Sequence, residues 1–349
     1  MSQESSASSP APARIPFDER MLPVGDGHTL YVAQHGQPDA PAAIVLHGGP
    51  GSGTQPSVLD WFDLSAQRVI LFDQRGAGRS LPQGGLVAND SAQLVADIER
   101  IRVTLDIPRW MVVGGSWGAT LALMYAEQHA ARISALVLRG SFLASERELQ
   151  WFFQSLRAMV PQGWAQLTAG WDDMAKTRVL ATLAAALLRN NESTGDDPAP
   201  HAGSDAGMAA ELNAAGAALR WGRYENAVMQ AMSGKLGPAK ADDGPASSDA
   251  DAVAAQRALN KYRLQAHYLV HGCFTSEERL LSAAARLKGT PVALVHGTHD
   301  LVCPPENALK LQQAMPHARL HWVEKGGHTP ADSGIAAALK QAIAELASR

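Results

Sequence analysis

The sequence predicts an α/β fold, a mostly parallel, doubly wound sheet interrupted by an inserted helical segment. Three observations support this. First, short continuous apolar runs recur at Ala42 to Leu46, Arg68 to Phe72, Trp110 to Val113 and Ala135 to Leu138. Runs of that length and uniformity suit strands covered on both faces of a parallel sheet. Second, helical periodicity fills the gaps. Leu94, Ile98, Ile101 and Leu105 share one face of the stretch from Ser91 to Leu105, and Ala119 to Gln128 reads as a shorter helix. Strand–helix–strand alternation gives a doubly wound sheet. Third, the rhythm breaks after about residue 143 and returns from about residue 289.

In chain order, residues 1 to about 13 are Ser-, Ala- and Pro-rich and read as a mobile tail. They lack a basic start followed by an apolar run, so they do not read as a secretory leader. Asp26-Gly27 is a hairpin signal, and Leu30 to His35 follows it as a strand. Residues 146 to 190 are helical in pattern. Asn190 to Asp205 and Ser233 to Asp251 are poor in large apolar residues and rich in Gly, Pro, Ser and Asp, so both read as long surface loops. Helical patterns at 208–232 and 253–271 flank the second loop. Thr290 to His296 and Ala318 to Val323 then read as strands, and Glu306 to Ala314 and Ser333 to Leu346 as helices. The expected organisation is a tail over 1–13, an α/β core over 14–143 and 286–349, and a helical cap over 144–285 with flexible loops near 191–206 and 233–252.

Composition narrows the function. The chain has 349 residues, 46% hydrophobic and 18% charged, which excludes wholesale disorder. A formal net charge of −4 and the lack of a Lys/Arg stripe with interleaved aromatics argue against nucleic acid as a partner. The sequence contains no uncharged apolar stretch of about 18 residues, so no membrane-spanning helix is expected. The expected compartment is the cytosol. Two cysteines, Cys273 and Cys303, cannot build a disulfide framework or a four-thiolate zinc site, and both should be reduced there. The sequence contains no H-E-x-x-H pair, and no metal or cofactor is expected.

Gly114-Gly115-Ser116-Trp117-Gly118 carries the sharpest chemical signal. It fits G-x-S-x-G, follows a buried strand and precedes a helix, the context of a nucleophile elbow. The tight turn needs small residues two before and two after the serine, and the helix start points free N–H groups at developing negative charge. Such a serine needs a base and an orienting acid, in the chain order serine, acid, histidine. Asp300 follows one late strand and His328, flanked by Gly326 and Gly327, follows the last. His296 and His299 compete with His328 but share the acid's loop. His47-Gly48-Gly49-Pro50-Gly51 follows the strand ending at Leu46, and its peptide N–H groups, with that of Trp117, can form an oxyanion hole. A nucleotide-binding loop is disfavoured because neither G-K-[ST] nor G-x-G-x-x-G is present. His47 is expected to buttress the loop. Asp73 to Ser80 reads as a structural turn whose Asp and Arg pair internally.

Together His47-Gly-Gly-Pro-Gly51, Asp73-Gln-Arg-Gly-Ala-Gly-Arg-Ser80, Asp97-Ile-Glu99 and Gly114-Gly-Ser-Trp-Gly118 resemble the proline iminopeptidases, α/β-hydrolases with a helical cap. The resemblance is densest over 24–165 and returns at 220–230, 262–275 and 290–332. It implies release of an N-terminal proline through an acyl-enzyme, with Ser116 as nucleophile, Asp300 as orienting acid and His328 as base. Gly48, Gly49 and Trp117 would surround the oxyanion, and Phe142 and Cys303 would line the proline pocket. The family recognises the substrate ammonium with cap glutamates. One falls here at Glu225, in Trp221-Gly-Arg-Tyr224-Glu225; the other is replaced by Gln265. Trp221, Tyr224, Glu225 and Gln265 are thus expected at the substrate. Gln265 accepts a hydrogen bond but carries no charge, which opens an alternative: an esterase, amidase or lactonase acting on uncharged small molecules. A dehalogenase or epoxide hydrolase would carry aspartate at the elbow, and a non-catalytic binding protein would not need the apparently complete triad. The expected partner is a small peptide or small molecule, with homo-oligomerisation left open.

Overall fold

The computed structural model describes residues 14–189, 212–232 and 249–348. The expected tail, the loop near 191–206 and the loop residues 233–248 lie outside these.

Among the described residues eight strands form a single sheet in the order β1-β2-β4-β3-β5-β6-β7-β8. β1 (Asp18–Gly25) and β2 (His28–Gly36) form the hairpin signalled by Asp26-Gly27 and pair antiparallel. β2 also pairs antiparallel with β4 (Arg68–Phe72). From β4 onward the sheet is parallel through β3 (Ala42–Leu46), β5 (Trp110–Gly115), β6 (Ile133–Arg139), β7 (Val292–Gly297) and β8 (Arg319–Val323). The apolar runs become the central strands, with Ile44, Ile70, Val112 and Leu136 fully buried.

Helices cover both faces. α1 (Ser91–Thr104) and α2 (Trp117–His129) bury Leu94, Ile98, Ile101 and Leu121 in the larger core on one face. α11 (Ser333–Ala347) buries Ile335, Leu339 and Ile343 against the other, with Val45, Val69 and Val113. Between β6 and β7 lie α3 (Glu146–Phe153), α4 (Pro161–Leu167), α5 (Asp173–Thr177), α6 (Val179–Leu187), α7 (Ala214–Met232), α8 (Asp249–Val270) and α9 (Glu277–Ala285). α6, α7 and α8 pack on one another, whereas α9 packs on α2 and on α10 (Glu306–Ala314), returning the chain to the sheet layer.

Three elements differ from the sequence reading. β1 is an edge strand, mostly exposed and interrupted by Pro23, so it lacks an apolar run. α9 buries only Leu280, Ala283 and Ala284, too small a stripe to stand out among alanines. α8 begins at Asp249, so the last residues of the stretch read as loop are helical. Among the described residues no helix is long and apolar enough to cross a membrane.

Candidate active site

The sharp turns after β3, β5, β7 and β8 converge at one edge of the sheet, as expected for a parallel α/β sheet. After β5 the chain turns at Ser116, whose φ of 56° and ψ of −124° suit glycine better than serine. The flanking glycines are required sterically. A Cβ on Gly114 would lie 2.2 Å from Gly118 O, and one on Gly118 would lie 2.0 Å from Leu46 O. α2 starts at Trp117, leaving that residue's N–H outside the intrahelical ladder. Gly48 lies against the turn: a Cβ there would be 3.5 Å from Ser116 Cβ.

His328 Nδ1 lies 2.7 Å from Asp300 Oδ2. Asp300 Oδ1 accepts from Val302 N and Cys303 N, both at 2.9 Å. Burial pushes the Asp300 carboxyl up, but His328, His296 and the Cys303 N–H outweigh it and hold the group below its ordinary range. The two loops are tied together. Thr298 N donates to Val323 O at 3.0 Å and His299 N to Gly326 O at 2.9 Å. His296, the competing histidine, stands with Nε2 3.0 Å from Cys303 O and 3.5 Å from Asp300 Oδ2, and burial lowers its basicity. It packs behind the acid, while His328 lines the cavity with Ser116.

That cavity, about 260 Å³, is lined by Gly48, Gly49, Ser116, Phe142, Phe152, Phe153, Glu225, Gln265, Cys303 and His328. The volume lies just below the usual range of about 300–1,000 Å³ for small-molecule sites. Cys303 is buried and reduced, and burial raises its thiol pKa well above the ordinary value.

Trp221 and Tyr224 are displaced from the expected position. Both are fully buried one layer behind the cavity, and their rings pack on Phe153 and Phe152 at 5.3 and 5.4 Å. Tyr224 donates to Phe152 O at 2.7 Å. They support the pocket wall instead of forming it.

Glu225 and Gln265 do reach the cavity, from α7 and α8. Glu225 Oε2 accepts from Lys261 Nζ at 2.8 Å and Tyr262 OH at 2.5 Å. Burial pushes this carboxyl up, yet Lys261 and Tyr262 hold it below the ordinary range. Gln265 is 9% exposed, and its buried Oε1 has no hydrogen-bond partner among the described residues.

Besides Phe152 and Phe153, the sequence reading misses three charged residues at the site. Glu148 lines the cavity, buried, and accepts from Leu143 N, Ser145 N, Ser145 Oγ and Asn307 Nδ2; burial raises its pKa. Its only sequence signal is Ser145-x-x-Glu148, which marks a capped helix start. Arg139, at the end of β6, also lines the cavity and donates to His328 O. Lys261 has no local signal. The Asp73 turn is only partly internal. Arg79 Nε bonds Asp73 at 2.7 Å, while Arg75 leaves the turn for Asp97 on α1, also at 2.7 Å.

This geometry provides a serine at a strained turn, a histidine–carboxylate pair, N–H groups near the serine and a small apolar cavity with a few polar groups. The combination is suited to acyl transfer. A family model for the alpha/beta hydrolase fold matches residues 41–334. The proline iminopeptidase of Xylella fastidiosa (strain Temecula1) is 36% identical over 91% of this chain and 93% of its own. That of Arabidopsis thaliana is also 36% identical, over 93% of this chain and 78% of its own. The crystal structure of the Mycobacterium smegmatis proline iminopeptidase superposes with a TM-score of 0.57 at 20% identity, covering 95% of this chain and all of the other. The chain belongs to the proline iminopeptidase family of α/β-hydrolases.

Proposed function

We propose that this protein is a serine hydrolase that releases N-terminal proline from peptides, with Ser116, His328 and Asp300 as its triad. One observation carries the substrate choice: Glu225 lines the cavity with one carboxylate oxygen that no described residue occupies. Both bonds to Glu225 fall on Oε2, leaving Oε1, while Gln265 beside it adds no charge and has its Oε1 buried without a partner among the described residues. The secondary ammonium of an N-terminal proline carries two N–H donors, and Glu225 Oε1 is a charged acceptor for one of them. Burying such a cation requires such a partner. Phe142, Phe152 and Phe153 offer an apolar wall to the ring.

In this reading Ser116 Oγ attacks the prolyl carbonyl carbon while His328 Nε2 takes its proton. Asp300 holds Nδ1–H and stabilises the imidazolium. The N–H groups of Trp117 and the Gly48–Gly49 loop receive the oxyanion. His328 returns the proton to the leaving amine, and water then clears the acyl-enzyme by the same steps. The helices of 144–285 act as a cap over a core built from 14–143 and 286–349. The enzyme works in the cytosol, without a cofactor, on small peptides, and as a single chain or a homo-oligomer.

The second reading, hydrolysis of uncharged esters or amides, draws on the absence of a second carboxylate at Gln265. A panel of Pro-, Ala- and Leu-arylamides, N-acetyl-Pro-arylamide and short-chain esters separates the two. Pro-arylamide should be cleaved fastest; an N-acetylated substrate cleaved at the same rate would rule out aminopeptidase action. A fluorophosphonate probe should label Ser116 in the folded protein.

A further inference from the structure

We propose that Lys261 is a specificity-determining residue: its ion pair with Glu225 discharges the amine subsite and weakens the preference for a cationic N-terminus over an uncharged acyl group of the same shape. The inference rests on the assignment of Glu225 as the amine-contacting residue.

Lys261 Nζ lies 2.8 Å from Glu225 Oε2, 3.3 Å from Tyr262 OH and 4.6 Å from the Tyr262 ring centroid. It does not line the catalytic cavity. It lines an adjoining groove with Gly51, Ser52, Asp73 and Arg79, so the Glu225 carboxylate stands between lysine and cavity. The position of the lysine backbone is fixed by docking of α8 on the loop after β3. A Cβ on Gly51 would be 3.0 Å from Lys261 O and 3.1 Å from Leu264 Cβ.

The charge balance follows from these positions. Glu225 supplies one negative charge, Lys261 cancels it at hydrogen-bond distance, and Gln265 supplies none. A substrate ammonium thus meets the Glu225 carboxylate in a pair that is already neutral with its lysine. A carboxylate oxygen at contact still attracts it, but the lysine beyond that oxygen repels it over a slightly longer distance. Two unopposed carboxylates would reject a neutral ring strongly, because their charges would stay buried without a partner. Here the Glu225 charge keeps its lysine, and Gln265 carries no charge to strand. A cyclopentanecarbonyl group, which is proline's ring without its nitrogen, is therefore accepted with a modest penalty.

The test is a ratio of dissociation constants, prolinamide against cyclopentanecarboxamide, measured by calorimetry on the full chain. For Lys261→Met, prolinamide alone should tighten, shifting the ratio by about tenfold or more as the opposing charge is removed. Lys261→Arg keeps the charge and should leave the ratio close to wild type. Gln265→Glu adds a charge and should shift the ratio in the same direction as Lys261→Met. An unchanged ratio in Lys261→Met, or weaker prolinamide binding, overturns the proposal. Loss of both ligands in that variant assigns the lysine a structural role and overturns it as well. Pro-arylamide turnover is read separately. If no arylamine is released while the binding ratio moves as stated, the aminopeptidase reading fails and the role of Lys261 stands.

Discussion

Gln74 is bonded to His47 at two points: its backbone N–H donates to His47 Nε2 and its side-chain Nε2 donates to His47 O, both at 2.9 Å. Its remaining oxygen accepts from Trp117 Nε1 at 2.9 Å. One amide thus links the glycine loop after β3, the turn after β4 and the start of α2. With Nε2 accepting, the His47 imidazole is neutral and Nδ1–H faces Gly48 O at 2.9 Å. Burial lowers its basicity in the same sense. This matches the expected buttress role. Replacing Gln74 by Leu strands the Trp117 indole N–H and the His47 carbonyl, each at about 1–3 kcal/mol. Thermal denaturation should show that loss. Pro-arylamide kinetics should show kcat falling with KM nearly held, because the glycine loop shifts while Phe142, Phe152, Phe153 and Glu225, on other elements, do not. An unchanged kcat would mean that the loop holds its place without the clamp.

The Asp300→Asn variant tests the base. Oδ1 is fixed by the Val302 and Cys303 N–H groups, so an asparagine keeps its oxygen there and turns its amide toward His328. Nδ1 must then accept, and the imidazole proton moves to Nε2, where it blocks removal of the Ser116 proton. By analogy with other serine triads kcat should fall about 10⁴-fold. KM should stay near wild type. A fall of only a few-fold would mean that His328 does not depend on this carboxylate.

How far the site is legible in the sequence depends on whether each constraint is local. Gly114 and Gly118 are fixed by contacts within one turn and with the strand end beside it, so the motif and the geometry coincide. The central strands are legible because both their faces are covered. By contrast, the Lys261–Glu225 pair joins two helices and has no local pattern. Trp221 and Tyr224 lie on the same helix as Glu225, but a motif does not reveal that they pack behind Phe152 and Phe153 while Glu225 lines the cavity. α9 and β1 were hidden for the opposite reason, since neither buries enough large apolar surface to leave a pattern.

Stability should decline on the acid side in a defined order. Burial lowers the basicity of His35, His47, His267 and His296 in the native state. Unfolded histidines titrate near about 6.5, so below that pH the unfolded chain binds more protons than the native one and is favoured. Asp73, Glu225 and Asp300 are held below their ordinary range despite burial, by Arg79, Lys261 and His328 respectively. Their contribution is complete above about pH 5 and is lost as pH falls through the unfolded and then the depressed native values. Both terms have the same sign; the carboxyls of Asp97 and Glu148, raised by burial, oppose them but are outnumbered by depressed ones that also include Asp18 and Glu99. Unfolding midpoints at constant ionic strength should be level between about pH 7 and 8, fall below about 6.5 and fall faster below about 4.5. A midpoint that rises from pH 7 to 5.5 would show that these histidines are protonated in the native state.

Ser116 combines function and strain in one residue. Its positive φ lies where a Cβ crowds the backbone, at about 1–3 kcal/mol for a non-glycine residue. Two backbone hydrogen bonds hold it there. Ser116 N donates to Arg139 O at 2.9 Å, and Ser116 O accepts from Ala119 N at 2.9 Å. Glycine at this position can make the same bonds without the clash, offset by about 0.5–1 kcal/mol of extra chain entropy. Ser116→Gly should therefore abolish Pro-arylamide hydrolysis and raise the unfolding midpoint. Ser116→Ala should abolish hydrolysis with little gain, since alanine keeps the Cβ. Calorimetric scans of the two variants beside wild type separate these effects. If alanine stabilises as much as glycine, the cost lies in the hydroxyl's surroundings and not in the backbone turn.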